Sequence, residues 1–261
     1  MEDLDIGLLG LSTLCFLGGF LYVLAALRRR QPRKNTWMNF AVVVLGFVFQ
    51  SLFLHFRGQL HGRCPVTNGA EILIFLSWST VLFYFLVGRA FRLSLLGMFT
   101  EPIVFVFQSI ALVLLLVGDP GARPPEGGID PWHELHISVA LLSFGAFALA
   151  GIAGIMYLVQ DRQLKKHHLG ALFYQLPPIR YLLDAIVRLV VVGIILLTIG
   201  IISAFFQKSE PDPKHYSMAI AVWVGYAALL AWHFSGKSTP KRTAAGAVAV
   251  FLLPLALLAL L

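Results

Sequence analysis

The sequence predicts an all-α fold, a polytopic membrane bundle of about eight transmembrane helices with both termini outside. Three observations predict it. Apolar residues make up 58% of the 261 residues and charged residues 13%, where a soluble domain carries roughly a quarter charged. Apolar stretches close to the ~20 residues needed to cross a bilayer core recur eight times. Lys and Arg fall on alternate connections between those stretches, as the positive-inside rule requires.

The first observation excludes function classes as well as folds. With a mean hydropathy of +0.81, a soluble chain would expose large apolar patches. A soluble enzyme, a nucleic-acid binder and a disordered protein all fit badly. Cys15 and Cys64 sit in an apolar stretch and a polar loop respectively, and no CxxC or CxxCH occurs. A disulfide framework, thiol redox motif or covalent haem attachment site is therefore not supported.

The eight expected spans are Ile6–Leu27, Trp37–Phe56, Ala70–Val87, Pro102–Val117, Leu135–Gln160, Leu182–Phe206, Tyr216–Phe234 and Thr243–Leu261. The opening MEDLDIG lacks the basic region of a signal peptide, so the first stretch is expected to be kept as a span. The runs are too long and continuous for barrel strands. Connections are short, and residues 1–261 read as a single transmembrane domain. Connections 1–2, 3–4, 5–6 and 7–8 hold 14 Lys and Arg, among them Arg28, Arg29, Arg30, Lys165 and Lys166. The other side holds five: Arg57, Arg63, Arg123, Lys208 and Lys214. The net charge of +7 is thus a topology signal and an attraction to anionic lipid, and nucleic acid is not an expected partner.

Histidines are the residues most suited to chemistry. Neutral imidazole is a usual axial donor to haem iron and a common metal ligand. His55, His61, His133, His136 and His215 fall at or near the outer face, and His167, His168 and His233 at the inner face. His136 opens span 5 one turn after Trp132 and His133, in the run WHELH. That run lacks the second histidine of a zincin, and no metal site is expected. Glu71 falls three residues after Asn68, a capping-box spacing. It reads as orienting the start of span 3, and Glu71→Gln is expected to be mild. There is no P-loop, GxSxG, HExxH or deep pair of carboxylates, and the chain is expected not to be an enzyme.

Several segments resemble the integral membrane cytochrome c assembly proteins, the group of the CcsA, ResC, CcmC, HemX and YpjD types. They are RGQLHGRCPVTNGAEILIFLSW (Arg57–Trp78), HISVALLSFGAFALAGIAGIMYLVQDRQ (His136–Gln163), QLPPIRYLLD, LLTIGIIS and the Asp212-Pro213-Lys214 run. The resemblance covers nearly the whole chain and is nearest the HemX and YpjD types. It implies a haem-handling role in cytochrome c assembly in the bacterial inner membrane. Haem is the implied cofactor; the lipid bilayer and other cytochrome c assembly membrane proteins are the implied partners. His136 matches the family's outer-face ligand and His233 its span-7 histidine. His55, His61, His215 and Trp132 complete the candidate haem-binding set. Two departures are visible. Gln50 stands where the family has a span-2 histidine, and the last outer loop, FFQKSEPDPKH, has no tryptophan. These departures suit an alternative, a HemX-like scaffold or regulator of haem synthesis without bound haem. A third reading, a small-solute transporter, needs deep charges and broken-helix pairs.

Overall fold

A computed structural model of the protein describes residues 2–28, 36–91, 96–118, 130–165, 178–208 and 213–258. Among them lie eight helices and no strand: α1 (Glu2–Arg28), α2 (Thr36–His61), α3 (Gly69–Phe91), α4 (Leu96–Val117), α5 (Pro131–Lys165), α6 (Ile179–Ala204), α7 (Pro213–Phe234) and α8 (Pro240–Leu258). Seven of them, α1 to α7, are long and apolar enough to cross a membrane. The expected eighth span corresponds to α8, and residues 259–261 at its end lie outside the described residues. The protein is an all-helical, multi-pass membrane bundle.

Two expected boundaries shift, both for the same reason. The span expected to begin at Pro102 is part of a helix that begins at Leu96. Thr100 and Glu101, outside the expected span, are 2% and 1% exposed inside the bundle. Likewise α2 runs on past Phe56 to His61, carrying Arg57 into the structure. Polar residues that find partners continue a helix where hydropathy alone would end it.

α5 is the central helix. It packs on α6 and α8, and α3 joins it to the α1–α4 half. Small residues let it do so. At Gly145 a Cβ would collide with Ser79 of α3, and at Gly193 of α6 one would enter the Phe147 ring. At Gly154 a Cβ would lie 2.9 Å from the Ala244 carbonyl oxygen of α8. Such close backbone approach is how helices gain dispersion contacts where lipid already satisfies the hydrophobic drive. Phe147 fills the space so framed and stacks on Tyr226 of α7, ring centroids 4.0 Å apart.

The helices alternate in direction. The starts of α1, α3, α5 and α7 and the ends of α2, α4 and α6 share one end of the bundle, the one the charge bias assigns to the outside. It is called here the His136 end, and the opposite one the His233 end.

Candidate functional site

His136 stands in the second turn of α5, half-buried against α6. Its Nδ1 is 2.7 Å from the carbonyl oxygen of Gly200. A carbonyl only accepts, so Nδ1 carries a proton and donates it to Gly200. This is the arrangement by which proteins prepare a ligating histidine: one ring nitrogen held by a backbone oxygen, the other presented. Gly200 packs closely on α5: an added Cβ would just touch the Ala140 backbone, its nitrogen at 3.4 Å. The same carbonyl accepts from Ser203 Oγ (2.7 Å).

The surrounding helix ends are clasped. Asp130, just before α5, accepts the backbone N–H of Trp132 (3.2 Å) on one oxygen and that of Lys208 (2.7 Å), past the end of α6, on the other. The Lys208 N–H is the main reason its carboxyl lies below the usual carboxylate range. His133 Nδ1 meets Gln207 Oε1 at 3.2 Å. Trp132 is 45% exposed and its ring lies 5.0 Å from that of Phe206. The start of α5 and the end of α6 are therefore joined by side-chain and backbone hydrogen bonds.

Beside it, the loop 62–68 is organised by Glu71. Asn68 Oδ1 accepts the Glu71 N–H (2.8 Å), the expected N-cap. The return bond goes one residue further back than a capping box predicts: Glu71 Oε2 accepts both the N–H and the hydroxyl of Thr67 (2.8 and 2.7 Å). Its other oxygen accepts Arg57 Nε (3.1 Å), and Arg57 Nη1 in turn donates to Asp5 Oδ2 (2.9 Å). Glu71 is 0% and Asp5 2% exposed, so a buried ion triad ties α1, α2 and α3 together. The expectation that Glu71→Gln is mild is corrected by this geometry. Both carboxylate oxygens face donors, and an amide would turn its NH2 toward one of them. The loop so fixed places Cys64 Sγ 3.1 Å from the Ser138 hydroxyl of α5. Burial is the main cause pushing the Cys64 thiol up.

The other candidate residues divide clearly. His61 lies on the same end, its Nε2 3.3 Å from Glu71 Oε1 but buried and without a hydrogen bond among the described residues. His55 is exposed on α2, its ring against Phe56. His215 lies in the first turn of α7, and its side chain falls outside the described residues. His233 is at the opposite end, where Nδ1 meets Thr243 Oγ1 at 3.1 Å. A hydroxyl can donate or accept, so this contact does not place a proton on Nδ1 as the Gly200 carbonyl does for His136. Between Pro213 and His233 α7 rises about 30 Å, too far for His233 to share an iron with His136. Gln50 is fully buried; its Nε2 donates to Ser77 Oγ (2.5 Å) and Ile74 O (3.2 Å). His167 and His168 lie outside the described residues. Among the described residues no group of three or more His, Cys, Asp or Glu is arranged to hold a metal ion. A groove of about 250 Å³ between α6 and α7, lined by Thr198, Ile201, Ile202, Ile220 and Trp223, has no titratable group.

A family model described as cytochrome c assembly protein matches residues 66–261. The chain belongs to this family. That segment includes the capped start of α3, the His136–Gly200 contact and the His233 end. Curated relatives agree. Protein HemX of Brevibacillus brevis is 27% identical over 208 residues, 77% of this chain and 70% of the relative. Cytochrome c biogenesis protein CcsA of Prochlorococcus marinus (strain MIT 9301) is 25% identical over 229 residues, 76% of this chain and 72% of the relative. Protein HemX of Bacillus subtilis (strain 168) is 26% identical over 171 residues, 65% of this chain and 61% of the relative. A cytochrome c assembly protein of this kind is a multi-pass bacterial membrane protein with a role in cytochrome c biogenesis. The triad residues Asp5 and Arg57 lie before the matched segment, and sequence reasoning missed their pairing because 52 residues separate them.

Proposed function

We propose that this cytochrome c assembly protein is a non-enzymatic haem-handling component that binds haem at the His136 end, with His136 Nε2 as the axial donor. The observation that carries the reading is the 2.7 Å contact from His136 Nδ1 to the Gly200 carbonyl, which orients the ring and leaves Nε2 for a ligand. The donor type fits haem iron. The clasp of Asp130, Trp132 and His133 onto α6 supports it, because a ligand on a rigid helix start needs no ordering on binding. Among the described residues no second imidazole is oriented as His136 is: His61 Nε2 lies 3.3 Å from Glu71 Oε1, and Gln50 is bonded to Ser77. The reading is therefore of mixed or open coordination opposite His136. The end concerned is the outer one by the distribution of Lys and Arg.

A second reading, a HemX-like scaffold or regulator without bound haem, is favoured by Gln50, which is fully buried and hydrogen-bonded where the resemblance puts a histidine. The absorption spectrum of the purified full-length protein from haem-replete cells separates the two. A Soret band at near-stoichiometric intensity is expected. Protein of normal yield that takes up no haem, as purified or on titration, would replace the first reading with the second.

A further inference from the structure

The α1–α4 half contains a buried polar structure that haem ligation does not use. Its positions repeat every seven residues: Asp5, Ser12 and Gly19 on α1, Asn39 and Gly46 on α2 followed by Gln50 and Arg57, and Glu101 and Gln108 on α4. Seven residues return to the same helix face about 10 Å further along. The result is three layers. At the His136 end lies the Asp5–Arg57–Glu71 triad. In the middle, Gln108 Nε2 donates to Ser12 Oγ (3.0 Å), and Ser12 Oγ donates to the Gly46 carbonyl (2.8 Å). At the His233 end, Asn39 Nδ2 donates to Glu101 Oε1 (2.6 Å), and Gly19 makes room, since an added Cβ would lie 3.0 Å from Glu101 Oε2.

Every side chain in these layers except Arg57 is 4% exposed or less. Uncharged Ser, Thr, Asn and Gln suffice to glue helices in a bilayer. Carboxyl groups are far more expensive there and mark ion or proton pathways by default. Glu101 is not evident as a deep carboxylate from hydropathy, because it falls just before the span expected from Pro102. Two further atoms fit a pathway. Gln50 Oε1, between the middle layer and the triad, and Asn39 Oδ1, beside Glu101, are buried and accept no hydrogen bond among the described residues. Buried amide oxygens of that kind are the usual anchors of internal water.

We propose that the α1–α4 half relays protons between the two ends of the bundle. Glu101 lies five residues into α4 and Asn39 three residues into α2, within about one and a half turns of the end. A proton arriving there binds one oxygen of the Glu101 carboxylate and leaves to a water in the file. Gln108, Ser12 and Gln50 orient that water, and the file ends beside the triad. His61, whose Nε2 is buried without a hydrogen-bond partner among the described residues and whose side chain is 24% exposed, takes the proton there and releases one to solvent. No other bond changes, and the membrane proton gradient supplies the drive.

The test uses the full-length protein in liposomes with an internal pH dye and a potassium diffusion potential set by valinomycin. Wild-type proteoliposomes should change internal pH severalfold faster than protein-free liposomes. Glu101→Gln keeps an acceptor for the Asn39 amide but cannot carry a proton, and should return the rate to the protein-free value. Gln108→Leu should do the same by removing the middle layer. Monodisperse elution and unchanged helical circular dichroism identify folded variants. Wild-type rates equal to those of protein-free liposomes, or flux that persists in both folded variants, would overturn the proposal. The readout needs no haem, so it stands or falls apart from the reading of His136.

Discussion

His136 Nδ1 lies 2.7 Å from the carbonyl oxygen of Gly200. The contact couples a side chain on α5 to the backbone of α6, and a side chain at residue 200 would face the Ala140 backbone. A Cβ there would reach the Ala140 backbone at 3.4 Å from its nitrogen and 3.6 Å from its Cα. Gly200→Ala is expected to be tolerated with a small loss of stability. Gly200→Val, branched at Cβ, should push α6 away and release His136, lowering haem retention at unchanged membrane levels. Haem content per mole of purified variant measures this.

The buried triad makes a sharper stability prediction. Removing one partner of a buried ion pair costs about 3–5 kcal/mol, reduced here because Arg57 retains 13% side-chain exposure. Glu71→Gln should therefore destabilise by about 2–4 kcal/mol and lower the thermal midpoint in detergent. An unchanged midpoint would show that Thr67 and Asn68 alone hold the start of α3.

At the α3–α5 crossing, Gly145→Ala places a methyl on Ser79, including its backbone carbon at 2.9 Å. Overpacking of this kind costs about 1–3 kcal/mol. Ser79→Gly in the same chain should recover only part of it, because the backbone contact remains. Thermal unfolding of the single and double variants gives the comparison.

Much of this architecture was legible in the sequence, and the reasons differ by feature. Eight apolar stretches became eight helices because a bilayer sets helix length so strictly. His136 was legible as a candidate from WHELH, but its partner Gly200, 64 residues away, was not. Nothing local marks a glycine whose carbonyl is used. The Asn68–Glu71 cap was legible from a three-residue spacing. Asp5, Arg57 and Glu101 were not, since a charge flanking an apolar run looks the same whether it faces solvent or turns inward. The seven-residue spacing of Asp5, Ser12 and Gly19, and of Glu101 and Gln108, was the available signal.

The Asp130 clasp predicts a pH response. Its carboxyl sits below the ordinary value of 3.8, chiefly through the Lys208 N–H. A lowered folded value contributes stability that is present above 3.8 and is lost as pH falls through the folded value. Hydrogen exchange at the end of α6 should rise as the protein is taken through and below that range. Asp130→Ala should show the raised exchange already at neutral pH. Equal exchange in both proteins at neutral pH would leave the clasp without a role.

Topology is testable without purification. Reporter fusions after residue 34 should report the cytoplasm and fusions after Leu261 the outside, because 14 of the 19 Lys and Arg in connections lie on the first side. The reverse pattern would move His136 to the cytoplasmic end.

Haem content of His136→Ala against His233→Ala, in membranes of equal protein content, tests the account most directly. His136→Ala should lose the bound haem, while His233→Ala, at the opposite end of α7, should retain it. Haem unchanged in His136→Ala and abolished in His233→Ala would contradict the assignment.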